Sequence, residues 1–326
     1  MMTLQTTRWL SLLIGFVGIW ISGCAALSSP AKVSTSPHPV ISAKQARAEQ
    51  TLKSLPEMTI RDYEAAGDRY ARQGDAARAV LQYDRALLLA PDDLSLRYKK
   101  GSLLLSKGKA KEAISNFGIV IKQDPSHTLA YEGIGKAYFQ ISDLKEAQKH
   151  CLKATKLNTK QWGGYNCLGR IYDRQERFQE AVTAYRHAIQ LQPQRGMLWN
   201  NLGLSYYAQG KYKDSTQAFN QALTLDSKKS KIYNNLGIAL SQLERYDEAF
   251  EMFTKGGSRA QAYNNLGVVY LAKGQYRKAV ASFEKALTAH PNFYEVASHN
   301  LNQARRALET SHQTNPAPPK AFSANQ

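Results

Sequence analysis

Six glycines recur at a single spacing along the chain, and this regularity constrains the fold more than any other feature. Each lies 34 residues after the one before it: Gly67, Gly101, Gly135, Gly169, Gly203 and Gly237. The next in phase, Gly267, follows after only 30 residues (267 − 237). A fixed period of this length indicates supersecondary units that stack in a row and bury their apolar faces against one another.

Other residue types follow these glycines at fixed distances, which predicts a pair of helices in each unit. Small residues stand twelve positions after them (Ala79, Ala113, Ala147, Ala181, Ser215, Ala249), and aromatic residues usually stand sixteen after (Tyr83, Phe117, Tyr185, Phe219, Phe253). Small residues let two helices approach closely, and the aromatic rings fill the space between successive pairs. Turn residues seven positions after the glycines separate the two helices, and Pro91, Pro125 and Pro193 stop the second one.

This pattern resembles the tetratricopeptide repeat over residues 60–293. The resemblance implies an all-α right-handed superhelix of about seven helix pairs, in which the first helix of each pair (helix A) lines a concave face. The second helix of each pair is called helix B. The expected repeat frames are 60–93, 94–127, 128–161, 162–195, 196–229, 230–259 and 260–293.

The sixth repeat is four residues short, which is about one helical turn. We therefore expect its helix B to end early, at Gly256 or Gly257, and the superhelix to bend there. Residues 294–309 are expected to form the polar capping helix that the end of such an array requires. Residues 310–326 contain Pro-Ala-Pro-Pro and are expected to be disordered.

The N-terminus has the features of an export signal. Arg8 is the only charge before the apolar run 9–20, which is too short for a spanning helix of about 20 residues. The following Ile21-Ser-Gly-Cys24 resembles the bacterial lipobox, the alternative being an ordinary signal peptide before a buried cysteine. The resemblance implies a signal peptide over 1–23, lipidation of Cys24, a flexible tether over 24–59 and, because Ala25 follows, the periplasmic face of the outer membrane.

The net charge of +17 by itself suggests nucleic acid or an anionic membrane as partner. An exported protein does not meet chromosomal DNA, so we expect no nucleic-acid partner, and contact with the membrane through the N-terminal lipid.

No residue pattern points to catalysis, a metal or a cofactor. The seven histidines form no metal-binding motif, and we find no nucleophile with a neighbouring base. Residues 164–169 have the glycine spacing of a phosphate-binding loop, but Arg170 and Ile171 stand where Lys and Ser or Thr are needed, inside an expected helix A. We expect a non-enzyme without metal or cofactor.

Cys151 and Cys167 fall on neighbouring helices of the array. A disulfide would form if their Cα atoms lay within about 7 Å, as a staple without a redox role. We favour the other interpretation, two reduced cysteines in the core.

The concave face offers a candidate groove for a peptide. Position 5 of four successive repeats is Asn166, Asn200, Asn234 and Asn264, similar to the asparagine ladders of peptide-binding tetratricopeptide superhelices. Other groove positions carry Lys136, Arg170 and Arg174, then Leu204, Tyr207, Ile238, Val268 and Leu271. These residues suit a partner segment with an acidic and an apolar part. For the position-5 amides, peptide binding and packing between helices remain equal alternatives; for position 6 (Asn201, Asn235, Asn265) we favour packing.

Helix B of the third repeat carries a lysine row at three- and four-residue steps: Lys145, Lys149, Lys153, Lys156 and Lys160. We expect a solvated face, with contact to anionic lipid or another acidic surface as the alternative.

The lipobox, the array and the segment 262–274 after a shortened repeat resemble the outer-membrane lipoproteins of pilus and secretion machines, especially the TadD-like proteins of Flp pilus assembly. That resemblance implies a non-catalytic scaffold whose groove binds a secretin or a pilus assembly component. The alternative is an adaptor for peptidoglycan hydrolases or synthases, similar to the NlpI-like lipoproteins.

Overall fold

The computed structural model describes residues 58–226, 228–289 and 295–314, with side chains up to residue 311. The expected signal peptide, Cys24, nearly all of the expected tether and residues 315–326 lie outside the described residues. Within them the chain is helical, with fifteen α-helices and no strand. The predicted all-α fold is confirmed.

The helices form seven pairs followed by one longer helix. The A helices are α1 Ile60–Arg72, α3 Leu94–Ser106, α5 Thr128–Gln140, α7 Trp162–Arg174, α9 Gly196–Ala208, α11 Ser230–Gln242 and α13 Arg259–Ala272. The B helices are α2 Ala76–Leu89, α4 Ala110–Gln123, α6 Leu144–Leu157, α8 Phe178–Leu191, α10 Tyr212–Leu225, α12 Tyr246–Gly256 and α14 Tyr276–Ala289, and α15 spans Glu295–Thr314. Each helix packs on its sequence neighbours, and successive A helices from α3 to α11 also contact one another. The A helices therefore lie on the inner, concave side of the array, because that is where neighbouring repeats come closest.

The repeated glycines are explained by the rings that they face. Each ring from Tyr83 to Phe283 at this position is buried, and a Cβ on the opposing glycine would lie 2.5 to 2.9 Å from its nearest carbon. Gly203 against Phe219 is one such pair, at 2.7 Å. Atoms cannot approach so closely, so the array requires glycine wherever helix A crosses an aromatic residue of helix B.

All seven turns between helix A and helix B close in the same way. One residue in each has a left-handed φ between 58° and 83°: Gly74, Gly108, Ser142, Glu176, Gly210, Glu244 and Gly274. The next amide donates to a carbonyl five residues back, as Arg177 N does to Tyr172 O at 2.9 Å, which is the Schellman closure of a helix. Glycine adopts this backbone without steric cost, whereas the three side-chain-bearing residues are disfavoured there.

The shortening of the sixth repeat falls in its helix B. Helix α12 has 11 residues where the other B helices have 14, and it ends at Gly256 with Gly257 as its C-cap. Helix α13 begins directly afterwards, where the Ser258 side chain accepts from Gln261 N and Gln261 Oε1 accepts from Ser258 N. The predicted early end is confirmed, and the expected bend stays a prediction.

The last helix is longer than predicted. Helix α15 packs Leu301 and Ala304 against Phe283 of α14 and continues to Thr314, five residues beyond the expected end at Glu309 (314 − 309). Residues 310–314 are thus helical, which corrects the expectation of a disordered tail from 310 onward. The physical reason is that no helix-breaking residue follows Glu309 until Pro316.

Candidate functional site

Three apolar side chains stand exposed at the same position of successive A helices. Leu204 on α9, Ile238 on α11 and Val268 on α13 expose 39%, 37% and 45% of their surfaces. Tyr207 and Leu271, one turn further along α9 and α13, are half-buried beside them. We call these five residues the apolar strip. Large apolar side chains exposed at one register of neighbouring helices are typical of a binding surface.

The middle of the concave side is basic. Lys136 on α5 pairs with Glu132, a buried carboxylate that also accepts from Gln161 Nε2 at 2.9 Å. Arg170 on α7 is exposed, with its guanidinium carbon 4.4 Å from the centre of the Phe139 ring, and Arg174 is exposed and makes no ion pair with any described residue. Because Glu132 compensates Lys136, the positive charge in this part of the groove comes from the two arginines, as far as the described residues show.

A cavity of about 320 Å³ opens beside these charges, between α3, α5 and α7. Its apolar lining comes from Tyr98, Leu105 and Leu129, and its polar lining includes Arg170 and the paired Lys136 and Glu132. Such a cavity can take a side chain whose stem is apolar and whose tip is acidic.

The first two repeats are joined by a cluster of ion pairs around Lys99. Lys99 Nζ lies 2.8 Å from Glu64 Oε1 and 2.7 Å from Asp68 Oδ2, so one lysine bridges two carboxylates. Burial raises the pKa of Asp68, but hydrogen bonds from Lys99 and Tyr83 outweigh burial, so the pKa lies below its ordinary value. Along the concave side the array thus carries this ion-paired cluster in its first two repeats, the exposed Arg170 and Arg174 in the middle and the apolar strip after them.

The position-5 asparagines are largely engaged between repeats. Asn201 Nδ2 donates to Asn166 Oδ1 and Asn235 Nδ2 donates to Asn200 Oδ1, both at 2.9 Å. Asn300 of α15 donates likewise to Asn264 Oδ1 at 3.0 Å. The packing role favoured for position 6 is confirmed for the two donors Asn201 and Asn235. Of the position-5 residues, Asn166 and Asn264 are buried, which favours packing there too.

The ladder is interrupted at the shortened repeat. Asn234 Oδ1 is buried and has no hydrogen-bond partner in the part of the chain that the structure describes, so Asn265 donates no bond to it. A Cβ on Gly256 would lie 2.9 Å from this oxygen, so the shortened end of α12 occupies the adjacent space. The missing helical turn changes the register between the sixth and seventh repeats, so the side-chain amide of Asn265 no longer reaches Asn234 Oδ1.

Two residues of this site were missed by sequence reasoning. Glu132 takes position 5 of the third repeat, where later repeats carry Asn, and Phe139 stands at position 12 beneath Arg170. Both lie at groove positions of the 34-residue register, which is the signal that would have found them.

Cys151 and Cys167 form a disulfide between α6 and α7, with their Cα atoms 6.2 Å apart. The favoured interpretation of two reduced cysteines is corrected. The reason is close packing: Cys151 replaces the large aromatic residue of other repeats, and it lies in the same buried cluster as Cys167, so the two sulfurs meet in the core.

The described residues add no further kind of site. The phosphate-loop spacing at 164–169 lies inside α7, as predicted. Across the described ranges no group of three or more His, Cys, Asp or Glu residues is placed to hold a metal ion. None of the helices described is both long and apolar enough to cross a membrane.

Stacked helix pairs of 34 residues with an open inner face define the class of tetratricopeptide proteins, whose arrays serve as protein-interaction scaffolds. The family profile described as the cilia and flagella-associated protein 70 C-terminal domain matches residues 24–265, and the tetratricopeptide repeat profile matches residues 260–293. The chain belongs to the family that the first of these profiles describes.

Curated relatives resemble only part of the chain. The TPR repeat-containing thioredoxin TTL4 of Arabidopsis thaliana is 26% identical over 105 residues, 32% of this chain and 15% of that protein. The inactive TPR repeat-containing thioredoxin TTL3 of the same plant is 25% identical over 84 residues, 26% of this chain and 12% of that protein. The chain thus matches only a small fraction of either relative's length.

A tetratricopeptide repeat protein from Parabacteroides merdae ATCC 43184 shares the fold. Its crystal structure superposes with a TM-score of 0.54 at 15% identity, covering 76% of this chain and 98% of that one. At this identity the likeness concerns the fold alone.

Proposed function

We propose that the protein is a non-catalytic scaffold, anchored to the outer membrane through lipid on Cys24, that holds a partner protein in its concave groove. The machine it serves would be the one that the sequence resemblance implies, a Flp pilus or another secretin-based assembly. The apolar strip carries the groove proposal, because three large apolar side chains are exposed there at one register.

The neighbouring charges define the partner segment. Arg170 and Arg174 are free to meet acidic side chains, and the cavity beside Arg170 has an apolar floor. A segment with acidic residues followed by apolar ones would place the first over α5 and α7 and the second along α9, α11 and α13.

The groove is tested by crosslinking in intact cells. A photoreactive residue at position 238 should capture a defined partner, and Ile238→Glu combined with Val268→Glu should abolish capture by a probe at 204. Leu88→Glu on α2 is the matched control, since Leu88 is 81% exposed outside the strip and its replacement should leave capture unchanged. Equal capture by strip and control variants would refute the groove.

The identity of the captured partner decides the machine. A secretin or pilus component supports the assembly role, whereas a peptidoglycan hydrolase or synthase makes the protein a cell-wall adaptor. The anchor is tested separately: Cys24→Ser should prevent incorporation of a labelled fatty acid. Equal labelling of both forms would remove the lipid anchor from the proposal.

A further inference from the structure

The outer side of the third repeat carries a concentrated positive charge. Lys145, Lys149, Lys153 and Lys156 of α6 and Lys160 just beyond it are all exposed and follow one another at steps of three or four residues. Residues at these steps within a helix lie on one side of it, which holds for the four lysines of α6. These four span about 16 Å along the helix at about 1.5 Å per residue, and Lys160 follows three residues after the helix end at Leu157. We call these five residues the lysine face.

Most of this charge is uncompensated. Lys149 Nζ lies 2.9 Å from Glu146 Oε2, whereas the other four lysines of the face make no ion pair with any described residue. Other B helices are different: α12 carries Asp247, Glu248 and Glu251, and α8 carries Glu180, which pairs with Arg177 just before the helix. Four unpaired ammonium groups in a row cost free energy through mutual repulsion unless an anionic surface meets them.

A surface cavity lies within the lysine face. It has a volume of about 510 Å³ and is lined by Lys149, Lys153 and Lys156 together with Tyr131, His150 and Leu152. The His150 ring lies between two tyrosines, 5.9 Å from Tyr131 and 5.6 Å from Tyr138. The cavity therefore has an aromatic and aliphatic floor beneath a basic rim, which matches a phospholipid headgroup with the start of its acyl chains.

We propose that the lysine face docks the array on the surface of an anionic phospholipid bilayer. A straight row of flexible ammonium groups suits mobile, distributed charge better than a single carboxylate, for which arginine provides the fixed fork. Because α6 is a B helix, this docking leaves the concave side and the apolar strip free for the partner. This docking rests on the proposed function only in that the lipid anchor places a membrane near the array.

Vesicle binding by the full-length protein tests the proposal. Binding is compared on vesicles of phosphatidylcholine alone and of phosphatidylcholine mixed with phosphatidylglycerol, so that any contribution of the apolar N-terminus appears in both. Replacement of Lys145, Lys153, Lys156 and Lys160 by Gln should weaken binding to the mixed vesicles by at least about tenfold, and added salt should shrink this difference. Binding to neutral vesicles should not change.

A matched variant separates local from total charge. Lys111, Lys122 and Lys213 lie on other helices and Lys211 lies directly before α10. All four are exposed and make no ion pair with a described residue, and their replacement by Gln removes the same net charge. This control should retain most of the binding to mixed vesicles. Equal loss in both variants, or no preference of the wild type for anionic vesicles, would overturn the proposal.

Two further outcomes distinguish a failure of the lipid proposal from a failure of the groove proposal. Loss of a protein crosslink in the lysine-face variant, with unchanged vesicle binding, would show that an acidic protein occupies this face and would overturn the lipid proposal. If the groove proposal is wrong instead, the photoreactive residue at position 238 will capture no defined partner. The lysine-face variant should capture the partner at position 238 as well as the wild type does.

Discussion

Asn201 donates a hydrogen bond from its side-chain nitrogen to the side-chain oxygen of Asn166, 2.9 Å away and one repeat earlier. The bond joins the A helices of two successive repeats through their side chains. Its acceptor is buried, so the bond is protected from competition with water.

Replacing Asn166 with Ala should therefore destabilise the array by about 1 kcal/mol, because the Asn201 donor loses its partner inside the stack. Asn234→Ala provides the matched control at the same position of another repeat. Its oxygen has no partner, so this variant should be neutral or slightly more stable. Urea unfolding of both variants measures the difference, and equal destabilisation would show that the inter-repeat bond contributes nothing.

Glu244→Gly should raise the free energy of unfolding by about 0.5 to 1 kcal/mol, since Glu244 has φ 61° and glycine adopts this backbone without a clash. The opposite change, Gly210→Ala at φ 70°, should lower stability by a similar amount. Thermal unfolding monitored by circular dichroism compares the two, and changes of the same sign would contradict the argument.

A reducing agent should destabilise the wild type by about 3 kcal/mol, because the Cys151–Cys167 bond closes a loop with a sequence separation of 16. The double variant Cys151→Ala and Cys167→Ala lacks the bond, so its free energy of unfolding should be the same with and without the reductant. Denaturant titrations with and without reductant measure this response. If both proteins respond alike, the disulfide does not form in solution.

Acid should weaken the first repeat through Asp68. Its pKa is lowered in the folded state by Lys99 and Tyr83 against the opposing effect of burial, so its contribution is present above the ordinary value of 3.8 and is lost as pH falls through and below that value. Asp68→Asn should be less stable than wild type at neutral pH and should lose less on acidification. Unfolding measured near neutral pH and below pH 3.8 tests this, and parallel curves would contradict it.

The sequence was sufficient to predict the features of the fold that depend on the size of residues within one repeat. Gly203 opposite Phe219 and the early end of α12 at Gly256 both follow from what a side chain or its absence permits within one repeat. The repeat register also assigned Leu204, Ile238 and Val268 to one face.

Contacts between repeats were not predictable in the same way. The bond from Asn201 to Asn166 spans 35 residues and depends on how far each repeat rotates over the last, which no local pattern records. The disulfide depends on the same stacking distance. The pairing of Arg170 with Phe139 requires two A helices to be placed side by side before either residue has a partner.

The shortened helix α12 also determines how the array shares its stability. Where repeats touch only their neighbours, cooperativity passes along the chain through one interface at a time. The interface after Asn234 lacks the amide bond of the two before it, so we expect α13–α15 to exchange their amide hydrogens earlier than α7–α11 in native-state hydrogen exchange. Four missing residues would then divide one solenoid into two cooperative blocks with separate unfolding free energies.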